Sequence, residues 1–303
     1  MPTPDRENAT RRAARHTGLR APRRATFTRP AFAATLKALE EVAEAGAQVS
    51  LHVVDLDRDT VVASGDDHRT LPVGGLGVVP LLVEVAARIE SGDLDPLEIL
   101  DRSGVEPVAV SGIWQHMKAP ALPIADLAVL AAASGDALAA NLLLRRVGTE
   151  AVLRRTVEIG MPRSGLLDGF RDTRGPDDAP HVALGTAAEF ATLFSALVNS
   201  RVISPAVSAQ VAEWLSLNQD LSLAASATGL DPFAHEDDRH QLLFINKTGR
   251  ADGVRAEAGV LAGPHAGIAY TMIICFDDLS IAHRLRVHEV FRTFGGDLME
   301  HVF

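Results

Sequence analysis

The chain has 303 residues, 47% of them hydrophobic and 22% charged, with a formal net charge of −10. That length buries a substantial core, as one large domain or two intertwined lobes, and the composition is that of a globular protein. The negative balance argues against nucleic acid or an anionic membrane as the main partner, and no run approaches the roughly 20 apolar residues of a membrane span.

The charge is unevenly placed. Residues 1–30 carry Arg6, Arg11, Arg12, Arg15, Arg20, Arg23, Arg24 and Arg29 against only Asp5 and Glu7. Arg11 and Arg12 are adjacent, as in a twin-arginine export signal, but no apolar stretch of roughly 7–15 residues follows. The segment reads as a solvated, partly disordered basic arm, and the expected location is the cytoplasm. Residues 31–303 are then the folded domain.

Phe32, Leu36, Leu39 and Val42 recur at helical spacing, and Gly46 closes that helix. Val49 to Leu56 and Val61–Ala63 read as a hairpin around the polar turn at Asp57–Asp59. The middle of the chain is helical, over Val79–Ser91, Ile124–Ala133, Ala137–Val147, Glu150–Ile159, Thr186–Asn199 and Pro205–Leu217. Ser204 followed by Pro205 is a strong helix start, because serine caps and proline suits the first turn. Strands return as "QLLFINKTG", "GVRAEAGVLAG" and "GIAYTMIICF", and a last helix spans Ile281–Met299. This order predicts one sheet of noncontiguous strands with a separate helical lobe. The single Cys275 excludes an internal disulfide and, inside an apolar strand, reads as a packed thiol.

The most specific short motif is Lys247-Thr248-Gly249 at the end of a predicted strand. Lysine supplies a cation, threonine a hydroxyl donor, and glycine lets a ligand approach the strand backbone. Alone, three residues are equally a strand end followed by a turn. Their surroundings carry more. "SGIWQHM", "LPIADLAVLAAASGDALAANLLLRRVG", "VALGTAAEFATLFSAL" and "NKTGRADGVRAEAGVL" together make residues 31–303 resemble the penicillin-recognising serine hydrolases, in particular class A β-lactamases. The phrases "LSLNQDLSLAASATGLDPFAHED" and "NKTGRADGVRAEAG" look like an actinobacterial branch of β-lactamase-like proteins.

The resemblance implies an α/β (α+β) fold of the β-lactamase/transpeptidase type: a mostly antiparallel sheet flanked by helices, plus an all-helical lobe. The α/β lobe would comprise 31–72 and 240–303, and the helical lobe 73–239. It also implies an acylated serine in S-x-x-K at the start of the first long helix, with the lysine one turn later on the same face. In "LPVGGLGVVPLL" those two positions are Gly75 and Val78, and residues 71–83 contain no Ser, Thr, Cys or Lys. In the second motif, S-D-N, the aligned residues are Gly135, Asp136 and Ala137, so only the aspartate remains, in a structural role. Ser134 lies one residue early, and a one-residue slip would restore a hydroxyl there.

The loop between Gly160 and Thr186 should offer the glutamate that activates hydrolytic water. It contains none, only Asp168, Asp172, Asp177 and Asp178. The plainer reading is a solvated loop tied by Arg171 or Arg174 with Asp172 or Asp177. Gly, Val, Gly and Ala at four chemical positions remove reactivity but keep the fold, since small apolar groups need no polar partner when buried. Val78 would also leave Lys247 with one fewer like-charged neighbour.

No other constellation competes. The histidines, including His52, His116, His181, His265, His283 and His288, show no paired metal spacing, and His235-Glu236-Asp237-Asp238 followed by His240 reads as an exposed loop. "VGGLGV" lacks the spacing of a phosphate loop. The expected cleft lies between residues 74–78, the 134–137 loop and the Lys247 strand, with Lys247, Thr248, Gly249, Ser134 and Asp136 as ligand-binding candidates. No cofactor or metal is expected. The ligand would be a small carboxylate or a β-lactam- or peptide-like molecule, and a protein partner is the other occupant. Three functions follow: a noncatalytic binding or regulatory protein, a repurposed noncovalent biosynthetic enzyme, or residual β-lactamase activity through displaced residues. The sequence leaves open whether Arg255 faces the cleft or solvent.

Overall fold

Five antiparallel strands carry the fold. In the computed structural model, which describes residues 31–108, 111–233 and 242–303, they are β1 (Gln48–Asp55), β2 (Thr60–Gly65), β8 (Leu243–Ala251), β9 (Val254–Ala262) and β10 (Gly267–Cys275), and they lie side by side in the order β2-β1-β10-β9-β8. The basic arm, the 235–238 loop and His240 lie outside the described residues. Ala31–Phe303 forms one compact unit. Between the first hairpin and the last three strands lie the helices α2 (Val78–Ser91), α3 (Ile124–Ala133), α4 (Ala137–Val147), α5 (Thr149–Glu158), α6 (Ala187–Val198) and α7 (Pro205–Ser216). Helices α1 (Ala33–Glu44) and α8 (Ile281–Val302) close the two ends of the chain.

Strand alternation divides the apolar side chains between two cores. Ile245, Ala256, Ala258, Val260, Ala269 and Ile273 face the inserted helices and join Val78, Leu81, Leu127, Leu143, Phe190 and Val211. Phe244, Leu261, Tyr270 and Met272 face the other way, against Val42 of α1 and Val287, Phe291 and Phe294 of α8. Helix α2 is central: every residue from Val78 to Ala87 is buried, as expected of a helix apolar on all sides. Glu84 is its one buried charge, and Arg88 and Arg155 donate to it at 2.6 and 2.8 Å.

The helix starts follow local chemistry. The side chains of Asp136, Thr186, Ser204 and Ser280 accept from the third backbone amide beyond them, and Pro205 occupies the first turn of α7. Five further pieces of sheet escape sequence periodicity because they are two or three residues long. These are β3 (Leu71–Pro72), β6 (Gly165–Leu166) and β7 (Ala183–Gly185), which pair in the order β3-β7-β6, and the separate pair β4 (Ile99–Asp101) and β5 (Ala121–Pro123). The β3-β7 pairing matters most, since it anchors the chain just before residues 74–77. No helix among the described residues is long and apolar enough to cross a membrane.

Candidate functional site

Strand β8 is the sheet edge, and the short 3-10 turn Gly74–Gly77 packs on it. The packing depends on Gly249: a Cβ there would collide with the Val73 carbonyl oxygen. The last residue of the Lys247-Thr248-Gly249 motif thus admits the protein's own backbone. Gly75 sits in the same contact, where an added Cβ would lie 3.0 Å from the Thr248 carbonyl oxygen. Val78, 3% exposed, opens α2 directly after this turn.

The second wall is the link between α3 and α4. Gly135 has a left-handed φ of 62°, and a Cβ on it would stand 3.6 Å from Lys247 Nζ. Any side chain at 135 would therefore face the lysine. Ser134 does not: its hydroxyl bonds back to the Leu130 carbonyl at 2.9 Å, within the end of α3. Asp136 is 1% exposed and fully engaged. It caps α4 through Ala139 N at 3.0 Å and accepts from Ile113 N and Trp114 N, both at 2.8 Å. That aspartate stitches the 111–116 segment to the start of α4.

Gly75, Val78, Ser134, Gly135, Asp136, Ala137, Lys247 and Thr248 all line one cleft of about 160 Å³. Gly249 does not line it; its contact is with the backbone of Val73 and Leu76. The cleft also contains residues that sequence reasoning missed: Ser111, Phe170, Asn218, Asp220 and Arg250. The only signal for the 218–220 pair was a polar break in "LSLNQDLSL". Two larger recesses, of about 410 and 590 Å³, adjoin the cleft at Phe170 but do not reach Lys247. The Phe170 backbone is held from both sides by the Asn141 amide, at 2.7 and 2.8 Å.

Lys247 is 2% exposed, and its ammonium donates to the Ala132 carbonyl at 2.8 Å. Burial pulls its pKa down to about 8, against the attraction of Asp220. Thr248 Oγ1 donates to Asp220 Oδ2 at 2.6 Å, and Arg250 donates to Asp220 Oδ1 at 3.0 Å. Burial acts to raise the Asp220 pKa, but bonds from Ser222 and Thr248 and the charge of Arg250 hold it below the usual carboxylate range. Behind this cluster, Glu257 is fully buried and accepts from Asn246, Tyr270 and the Ala224 amide, at 2.9, 2.8 and 2.7 Å. Burial pushes its pKa up to about 7.

Arg255 stands opposite Arg250 in the β8-β9 ladder, half-buried, and donates to the carbonyls of Ala251 and Val254. It does not line the cleft; it borders the 590 Å³ recess. In the 160–186 loop, Arg171 pairs with Asp168 and Asp178, and Arg174 pairs with Asp168. The tie by arginine–aspartate pairs is present, through Asp168 and Asp178. Burial pushes the Cys275 thiol up to about 12, in keeping with a packed role. No cluster of three metal-binding side chains exists among the described residues.

A sequence model of the beta-lactamase enzyme family matches residues 31–302, nearly the whole described chain. The chain belongs to the beta-lactamase enzyme family. Its fold is similar to that of a β-lactamase from Sphaerobacter thermophilus, with a TM-score of 0.77 and 18% identity over 88% of this chain and 96% of that one. It is also similar to PBP-A (0.73, 16% identity, 90% and 98% covered). A variant of the last common ancestor of Gram-negative class A β-lactamases is comparable, at 0.71 and 22% identity with 89% and 99% covered. No curated protein matches this sequence. At these identities the likeness shows the fold, and any activity has to be argued from the cleft itself.

Proposed function

We propose that this member of the family is a pseudoenzyme, which binds a small peptide-like ligand in the Lys247 cleft without forming an acyl-enzyme. The observation that carries this reading is the state of the hydroxyls lining the cleft. Ser111 donates to the Gly135 carbonyl at 2.6 Å and Ser134 to the Leu130 carbonyl. Thr248 donates to Asp220, a carboxylate whose lowered pKa makes it a weak base. A serine or threonine nucleophile needs a competent base within hydrogen-bond reach, and none of the three has one. The start of α2 supplies no substitute, because Gly75 and Val78 carry neither a nucleophile nor a base.

The test is intact-mass spectrometry after incubation with benzylpenicillin and with a chromogenic cephalosporin. No adduct and no hydrolysis are expected; an acyl adduct at any cleft hydroxyl overturns the reading. A second reading, a repurposed noncovalent enzyme, draws support from Lys247, whose pKa near 8 suits proton transfer at neutral pH. It predicts that product formation in the source cell depends on Lys247. Location in the cytoplasm and the absence of a cofactor belong to the same proposal, and a protein partner remains the alternative occupant of the cleft.

A further inference from the structure

The polar groups that would be offered to a ligand carboxylate are already engaged by one of the protein's own. Both oxygens of Asp220 are used: Oδ2 by Thr248 Oγ1, and Oδ1 by Arg250 Nη2 at 3.0 Å, Ser222 Oγ at 2.6 Å and Ser222 N at 3.2 Å. Arg250 also bonds Ser222. Lys247 and Thr248 are 2% and 7% exposed, whereas the Asp220 and Arg250 side chains keep 29% and 45%. The charges an entering molecule meets are therefore Asp220 and Arg250, already paired with each other.

A neighbouring amide lies buried beneath this wall. Asn218 is 1% exposed, and its Nδ2 faces two acceptors, Asn246 Oδ1 at 2.7 Å and the Asp220 carbonyl at 3.3 Å. Those bonds fix the amide orientation and leave Asn218 Oδ1 buried with no donor. The acceptor that a ligand N–H can reach is therefore the exposed part of the Asp220 carboxylate above it.

We propose that Asp220 is the specificity-determining residue of the cleft. It is a built-in carboxylate that occupies the groups an incoming carboxylate would need and directs the cleft to neutral, N–H-donating ligands such as amides. This rests on the reading of the cleft as a noncovalent binding site. A second carboxylate about 4 Å from Asp220 would meet repulsion large enough to weaken binding by more than tenfold. Removing the charge leaves Arg250 and Lys247 uncompensated, and the same cleft becomes an anion site.

The test compares N-acetylglycine with its neutral analogue N-acetylglycinamide, at constant ionic strength, by thermal shift and calorimetry. In Asp220→Asn the carboxylate should act at roughly one-tenth of the concentration the native protein needs, or lower. The amide should distinguish the two proteins little. Adding Arg250→Ala to Asp220→Asn should abolish the gain, which places it in the cleft. Equal carboxylate responses in native and Asp220→Asn proteins, including no response in either, overturn the proposal, as does a weaker response in the variant. Asp220→Ser serves the same comparison if the asparagine variant fails to fold. A penicillin adduct would overturn the noncovalent reading of function but leave this comparison readable.

Discussion

The Lys247 ammonium donates to the Ala132 carbonyl at 2.8 Å across 115 residues of sequence, tying the edge strand β8 to the end of α3. The lysine of the motif is thereby a structural fastener between sheet and helices as well as a charge beneath the cleft. Its bond fills a carbonyl at a helix end, where no intrahelical partner remains. Burial nevertheless makes the charged form costly.

The cost has a defined pH dependence. Lys247 has a folded pKa of about 8 against an ordinary 10.5, so between those values the unfolded chain binds the extra proton. Stability therefore rises as pH goes from 8 towards 10.5, and the full penalty applies below 8. Its size is on the order of 3 kcal/mol. Urea midpoints measured from pH 7 to 10 should climb for the native protein relative to Lys247→Met, and parallel curves would refute this.

Glu257 imposes the opposite slope. Its folded pKa is about 7 against an ordinary 4.5, so the native state holds the extra proton in between. Stability falls as pH rises through that window, by on the order of 3 kcal/mol in all. Glu257→Gln should flatten the curve between pH 5 and 8. The variant should be less stable at pH 5, because the Ala224 amide, a donor at 2.7 Å, would face an NH₂ group or lose its partner. A native curve as flat as the variant's would count against the assignment.

Asp136 is a structural residue by its bonds. Asp136→Ala removes the acceptor for three backbone amides, those of Ile113, Trp114 and Ala139. Two of these bonds are buried, and a lost helix cap alone costs about 1 kcal/mol. A total loss of roughly 3 kcal/mol is expected in denaturant unfolding. Amide exchange should accelerate first at Ile113 and Trp114; unchanged exchange there would contradict the role.

Gly75→Ser tests whether a nucleophile can simply be put back. The new Cβ would lie 3.0 Å from the Thr248 carbonyl, so β8 or the 3-10 turn must shift by a few tenths of an ångström. A destabilisation of about 1–2 kcal/mol follows from such overpacking. With Val78 still in place the serine has no lysine base, so no benzylpenicillin adduct should form. An adduct in this single variant would mean that another cleft group can serve as base.

Much of the fold was legible because it is local. The spacing of apolar residues over Ile124–Ala133 and Ala137–Val147 reproduces α3 and α4 end to end, and Ser204-Pro205 marks the start of α7. Helix periodicity and caps act over three or four residues, so one sequence window contains the whole cause. The missing nucleophile is equally local: residues 71–83 lack any side chain that could serve.

Tertiary structure alone brought Ser111, Phe170, Asn218, Asp220 and Arg250 into the cleft. Thr248 meets Asp220 across 28 residues, and Asn141 holds Phe170 across 29. The strands β3, β6 and β7 are too short to show a period, yet β3 and β7 set the chain in place before the turn that packs on β8. Such contacts depend on which strand becomes the sheet edge and which turn covers it, and these follow from the packing of the whole domain. The sequence by itself established a β-lactamase-like chain with glycine and valine where serine and lysine were expected. Its folding then put Asp220 among the polar groups of the cleft, because burying Lys247 and Thr248 at the sheet edge brings a distant carboxylate within hydrogen-bond reach.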